Sequence, residues 1–533
     1  MPLKNKTSAH VATPAAKRWG VLSLCMALLL PVSPVQSQTT YSRLPNLGDG
    51  AEVPLGVERR LGESIAREIY RDPDYLDDPV LGDYVQSLWQ TLLASARQRG
   101  ELTPELEQQF AWEVALIRDR SINAFALPGG YLGVHLGLIA AVNSADELAS
   151  VLAHELSHVT QRHIARMISQ QGKQGPMVMG AMILGMLAAS RTPSASGMSA
   201  ANAVMVGGQA AAMQSQLNFS RDMEREADRV GYGVMTEAGF EPQGFVTMFE
   251  KLQQASRLND NGSFPYLRSH PMTTERIADA QARQQLLPPR QALALTPLHA
   301  MMAARAQVLT SPGVDVLRAL ATQAEASHLR TFSTARQAGA LYAGVMANMR
   351  QREFAVAHQH LQRLQALPSL DVPALRVVRL LAAELALASG DTAQALAVVD
   401  VKAFALASHD RATRMMLAQS RLATQKPAQA KLVSNELTLW LSLHPRDASA
   451  WTLLSAAYDM QGDGLRAIRA QAESRAVELD YGAALDRFKA AQALAHAMAR
   501  DGKLDRGGHV EASIVDARLR ELERLRREQA LER

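Results

Sequence analysis

Apolar residues at Leu148, Val151, Leu152, Leu156 and Val159 recur at the spacing of one face of an α-helix. Ser144-Ala145-Asp146-Glu147 stands ahead of them as a capping box, the Ser144 hydroxyl placed to accept from the Glu147 N–H and the Glu147 carboxylate to reach back to the cap. The pattern predicts a helix from near Ala145, with Gly172 as a stop. Upstream, Asn123 to Leu127 is uncharged and extended in character, and Pro128-Gly129-Gly130 signals a turn. This reads either as an ordinary hairpin strand or as an exposed strand able to pair with a peptide backbone. Downstream, Ser220 to Asp228 predicts a second helix, with Ser220 as N-cap and acids in the first turns, where the helix dipole favours them.

The pattern changes twice more. Residues 172–219 are rich in Gly, Ala, Met and Ser, with Lys173 and Arg191 as their only charges, and the apolar run Met177 to Ala189 is too short to span a bilayer. A lid or membrane-touching hairpin and a buried helix pair are both open readings of this segment. From about residue 300 the chain is repetitive: Ala357, Ala395, Ala430 and Ala467 follow one another at steps of 38, 35 and 37 residues. Those steps are close to the tetratricopeptide period of about 34, and Pro445, Trp451, Leu454, Tyr458, Gly462 and Ala467 match one such repeat best. Stacked helix pairs of this kind present a concave surface to another protein; a plain helical bundle is the alternative. Val510 to Arg533 reads as an amphipathic capping helix.

At 533 residues the chain can bury at least two cores. Residues 1–37 carry Lys4, Lys6, Lys17 and Arg18, an apolar run from Trp19 to Val32 and the small-residue site Val35-Gln36-Ser37, which together read as a cleavable secretory signal. Cys25, the only cysteine, lies inside that run, so the mature chain has no disulfide. The signal also holds four of the 56 basic residues and none of the 52 acids, which leaves 52 against 52. The mature protein is thus close to neutral, and nothing points to nucleic acid.

Chemistry concentrates in His154-Glu155-Leu156-Ser157-His158. Residues four apart share a helix face, so both imidazoles can bind one zinc ion while Glu155 approaches its water. Catalytic zinc needs a third protein ligand. Glu224 is the best candidate, and Asp228, four residues on, shares its face and can take the free ring N–H of a ligand histidine. A solvated acidic face of Glu224, Glu226 and Asp228 is the competing reading.

His154-Glu155-x-x-His158 followed by Glu224-x-x-x-Asp228 resembles the M48 zinc metallopeptidases. Asn123 to Gly130 is similar to that family's edge strand and turn, and Ser269-His270-Pro271 with Glu275-Arg276-Ile277 to its His-Pro element. The resemblance covers roughly residues 50–285. It implies a mainly α protein: an α+β zincin-like domain over 38–285 with a small edge-stranded sheet, then an α-solenoid of tetratricopeptide-like repeats over 300–533. It further implies one zinc per chain on His154, His158 and Glu224, with Glu155 as general base and Asp228 orienting a ligand. Asn123, Ala124, Phe125 and Ala126 would form the substrate edge, and His270 either a reversible fourth ligand that keeps the enzyme latent or an oxyanion partner. Signal, protease, uncharged insert and repeats together resemble the periplasmic branch that serves outer-membrane β-barrel assembly. That implies unfolded or stalled β-barrel clients and an assembly machinery docked by the repeats, with peripheral membrane contact through 172–219 as a further option. A latent protease working mainly as a scaffold and a general periplasmic peptidase are the alternatives.

Overall fold

The computed structural model describes residues 53–170, 220–257, 265–285, 295–310, 313–400 and 410–531. The leader expected over 1–37 and the apolar segment expected over 172–219 lie outside these residues.

Short apolar runs separated by turns fold into a four-stranded sheet. Helix α1 (Leu55–Arg71) leads into β1 (Tyr75–Leu76), and α2 (Pro79–Gln98) and α3 (Pro104–Gln109) precede β2 (Glu113–Ile117), β3 (Ala124–Leu127) and β4 (Tyr131–His135). The strand order is β1-β2-β4-β3, with β2 and β4 parallel and the outer pairs antiparallel. Every residue of β4 is buried, as expected of a central strand that is apolar throughout. The turn between β3 and β4 depends on Gly129, whose φ of 71° suits glycine. An added Cβ there would lie 2.7 Å from the Arg59 backbone of α1.

After β4 come α4 (Leu136–Ala141) and α5 (Ala145–Thr160), which packs under β3. Ser144 caps α5 by accepting from the Glu147 N–H at 3.1 Å, and the Glu147 carboxylate reaches one residue further back than predicted, to the N–H of Asn143. The helix does not continue to Gly172. It ends at Thr160, Arg162 takes a left-handed φ of 53°, and α6 (His163–Gln170) starts in a new direction. Arg162 is held in that strained conformation by Glu58 at 3.1 Å and by the carbonyl of Val53.

Helix α7 (Arg221–Glu237) is capped by Ser220 and lies across α5. Gly231 sets the closeness of that crossing: an added Cβ would sit 3.0 Å from the carbonyl oxygen of Ala153 and 3.1 Å from the nitrogen of His154. Next follow α8 (Gln243–Arg257), the single turn α9 (Tyr266–Ser269) and α10 (Thr274–Gln285).

The rest of the described chain is helical hairpins, beginning with α11 (Pro297–Leu309), which packs against α4, and α12 (Val314–Glu325). The next pairs are α13 (Thr334–Gln351) with α14 (Phe354–Gln365), α15 (Val372–Ser389) with α16 (Thr392–Val399), α17 (Arg411–Ala423) with α18 (Pro427–Leu443), and α19 (Ala448–Met460) with α20 (Gly464–Val477). Last come α21 (Tyr481–Arg500) and α22 (Arg506–Leu531). The alanines picked out by their spacing occupy the fourth residue of α14, α16, α18 and α20, and all are buried. Five residues before each, Arg352, Gly390, Gln425 and Gly462 take φ values of 64°, 85°, 56° and 76°. The same left-handed turn therefore joins each pair, and a methyl-sized side chain lets the second helix close on its neighbour. One hydrophobic core runs from Val80 in α2 to Leu417 in α17, and smaller clusters hold the last hairpins. The protein is thus mainly α, with a small sheet inside its N-terminal half.

Candidate metal centre

His154 and His158 lie one turn apart on α5 and turn their Nε2 atoms towards each other, 3.0 Å apart. From α7, Glu224 brings Oε1 to 3.4 Å from Nε2 of His158 and Oε2 to 3.6 Å from Nε2 of His154. His270, following α9, completes the group: its Nδ1 is 3.3 Å from Nε2 of His154 and 3.0 Å from Oε1 of Glu224. All four side chains are buried, and one donor atom from each falls within 4.8 Å of the rest.

The donors fit a zinc ion. Nδ1 of His154 lies 3.0 Å from Oδ1 of Asp228, so the ring proton faces that carboxylate and Nε2 carries a lone pair. Nε2 of His158 lies 3.0 Å from that lone pair, and a Glu224 oxygen stands within 3.6 Å of each of the two nitrogens, so buried acceptors converge where a cation would satisfy them. Tetrahedral zinc with nitrogen and oxygen ligands near 2.0–2.1 Å sets ligand atoms about 3.3–3.4 Å apart, and the contacts among these donors run from 3.0 to 3.6 Å around that value. Together His154, His158, Glu224 and His270 make a closed four-donor set.

Glu155 lies beside the group, fully buried. Its Oε1 is 3.4 Å from Nε2 of His270, and its Oε2 accepts from the backbone N–H of Ala126 at 2.9 Å. Burial pushes its carboxyl up, against the pull of His270 and His154. Burial also opposes ionisation of Glu224, but His270, His158 and His154 outweigh it and hold that carboxylate well below the usual range. For His158 burial dominates and drives the imidazole well down, towards the neutral form that a ligand must have.

Of the two readings open for Asn123 to Leu127, the structure has the hairpin strand, β3 turning directly into its antiparallel partner β4. Asn123, Ala124 and Ala126 are buried and Phe125 is half-buried, so β3 is no exposed strand. Its partner β4 takes one edge, and on the other the Ala126 N–H is already engaged by Glu155. The apolar sequence of the strand suits this enclosure, since a dry edge keeps its backbone groups for a single defined partner.

Four residues escaped the sequence reading as parts of this centre. Arg276 donates to both oxygens of Asp228 at 2.6 and 2.8 Å, lies 2.7 Å from Glu224 and donates to the Pro271 carbonyl at 2.8 Å, so it clamps α7 to the segment that carries His270. Tyr266 stacks on the His270 ring with centroids 4.4 Å apart. His163 meets Nδ1 of His158 at 2.8 Å, and Glu226 in turn meets His163. The break at Arg162 hid His163: on a continuous helix a residue five positions on points about 140° away from His158.

The sequence profile of peptidase family M48 matches residues 84–284, a range that contains every donor of the centre. The chain is 35% identical over 300 residues to a Vibrio cholerae serotype O1 protein named "Putative beta-barrel assembly-enhancing protease", covering 56% of this chain and 58% of that one. It is 33% identical over 248 residues to the beta-barrel assembly-enhancing protease of Escherichia coli K12, covering 46% and 48% of the two chains. Over 485 residues it is 28% identical to the protein of that name from Yersinia pestis, covering 90% and 92%. The first two matches thus span about half the length of those relatives.

Proposed function

We propose that the chain, whose residues 84–284 match the profile of peptidase family M48, is a zinc-dependent endopeptidase acting on outer-membrane β-barrel proteins in the periplasm of a Gram-negative cell. The observation that carries the catalytic part is the convergence of His154, His158, Glu224 and His270 on one point, with Glu155 beside it. Zinc bound there would acidify a water molecule and polarise a carbonyl. His154, His158 and Glu224 would hold the ion, and Asp228, fixed by Arg276, orients His154 through its ring N–H. Glu155, whose proton affinity is raised by burial, takes a proton and passes it to the leaving amine. The Ala126 N–H offers a backbone hydrogen bond to an extended peptide once the Glu155 carboxylate turns away from it.

His270 supports a latent ground state, because its ring closes the donor set where catalytic zinc keeps a position open. Withdrawal of His270 then precedes turnover. The periplasmic site and the β-barrel clients rest on the leader-like residues 1–37 and on the names of the relatives. The repeated hairpins supply the surface that docks clients or assembly partners, with a chaperone-like role beside proteolysis.

Glu155→Gln tests the reading. The purified variant is expected to retain one zinc per chain and to lose cleavage of an unfolded protein substrate by about 100-fold or more, whereas His154→Ala is expected to lose the zinc. Wild-type cleavage by Glu155→Gln would refute the assignment. Because His270 closes the site, a scaffold role with a silent protease stands as the second reading, and full complementation of a deletion strain by Glu155→Gln would favour it. Envelope proteins trapped by that variant should include outer-membrane β-barrels.

A further inference from the structure

The two histidine ligands are steadied in different ways. His154 leans on a carboxylate, Asp228. His158 instead meets a second imidazole: its Nδ1 lies 2.8 Å from Nδ1 of His163, whose own Nε2 lies 3.1 Å from Oε2 of Glu226. Arg166, one turn further along α6, donates to the same Glu226 oxygen at 2.7 Å. His163 has no exposed surface, so water does not substitute for these partners.

Proton counting gives this row a direction. If Nε2 of His158 gives its lone pair to a metal, its ring proton is on Nδ1, and the 2.8 Å contact makes Nδ1 of His163 the acceptor. The His163 proton is then on Nε2, where it meets the Glu226 carboxylate. Each group in the row fixes the tautomer of the one before it, and the terminal carboxylate is held by Arg166.

We infer that His163, anchored by Glu226, is a positioning residue for the metal ligand His158, locking the ring in the tautomer and orientation that present Nε2 to zinc. This rests on the zinc-centre reading. The strained backbone at Arg162 gains a purpose, since it turns α6 back so that His163 faces the centre. The relay also spans two elements, with His163 and Arg166 on α6 and Glu226 on α7, so relative displacement of these helices would act directly on a zinc ligand.

The test compares full-length wild type, His163→Ala, His163→Gln and Glu226→Ala by zinc titration against a competing chelator, alongside thermal melting of the metal-free proteins. The expected result is a 10- to 100-fold weaker zinc affinity for His163→Ala, a smaller loss for Glu226→Ala, and partial recovery in His163→Gln, whose amide can accept from His158 and donate to Glu226. The cobalt-loaded His163→Ala protein should show a shifted visible absorption band. A merely structural His163 would lower the metal-free melting temperature and leave affinity and spectrum at the wild-type values, and that outcome overturns the inference. Should His163→Ala fail to fold, Glu226→Ala decides: a loss of about 5-fold or more supports the relay, and an unchanged affinity overturns it. A wild-type protein that takes up no stoichiometric zinc would overturn the metal centre itself, a result distinct from loss of the relay alone.

Discussion

His135 closes β4 with its ring buried and its Nδ1 2.8 Å from the Ser121 hydroxyl. Burial pulls the imidazole from 6.5 down to about 4, against a weaker opposing effect of Asp119. The folded protein therefore resists a proton that the unfolded chain accepts. His135 costs no stability above pH 6.5, and its cost grows as the pH falls from 6.5 to 4, reaching about 3 kcal/mol. Urea unfolding of wild type and His135→Gln at pH 7.5 and pH 4.5 should show the stability gap between them shifting by about 2–3 kcal/mol in the variant's favour at the lower pH. A gap that does not move would rule out the burial account. At this scale the centre was largely legible: His154 and His158, four apart, share a face of α5, Glu224 and Asp228 share one of α7, and the structure brings the two faces together beside Glu155. His163 and Arg276 were not, because what puts them beside the ligands is a left-handed arginine in one case and a buried clamp between distant helices in the other.

Among the elements, the four left-handed turns of the hairpins are built on glycine only at Gly390 and Gly462. Arg352 and Gln425 take the same conformation with a Cβ that crowds the backbone. Gln425→Gly is expected to stabilise the protein by about 0.5–1 kcal/mol, the relief of that crowding exceeding the added freedom of the unfolded chain; denaturant midpoints measure it, and a lower midpoint would count against the repeated-turn description. The turns also explain what the sequence revealed of the hairpins. Buried alanines mark each second helix because only a small residue fits there, whereas the turn residue gives no signal where glycine is missing. In the sheet, β1 and β2 are too short and too mixed in pattern to announce themselves, and β3 was legible from its flanking turn. What its composition did not tell was enclosure: the strand's free N–H belongs to Glu155.

Across the whole molecule, ion pairs join the N-terminal half to the hairpins. Arg305 of α11 grips Asp78, the N-cap of α2, through two hydrogen bonds of 2.8 and 2.7 Å, and Glu384 of α15 through two more of 2.9 and 2.8 Å. Arg411, the first residue of α17, bridges Asp77 and Asp447, and Arg446 reaches Glu113 of β2. Arg305→Ala strands two carboxylates around a dry gap and should cost about 3–5 kcal/mol, while Arg446→Ala, where the arginine is 62% exposed, should cost under about 1 kcal/mol. Chemical denaturation of the two variants separates them, and equal losses would argue against a buried clamp. No periodicity or motif foretells this seam, since it depends on which distant charges meet. Its consequence falls on anyone trimming the gene to the stretch that holds the metal centre. A product that stopped at residue 285 would shed α11, Arg305 and every hairpin, leaving the apolar flanks of α2 and α4 wet and Asp78 without its guanidinium. Clumping or weak folding of such a fragment would then report a severed core and say nothing about zinc or catalysis.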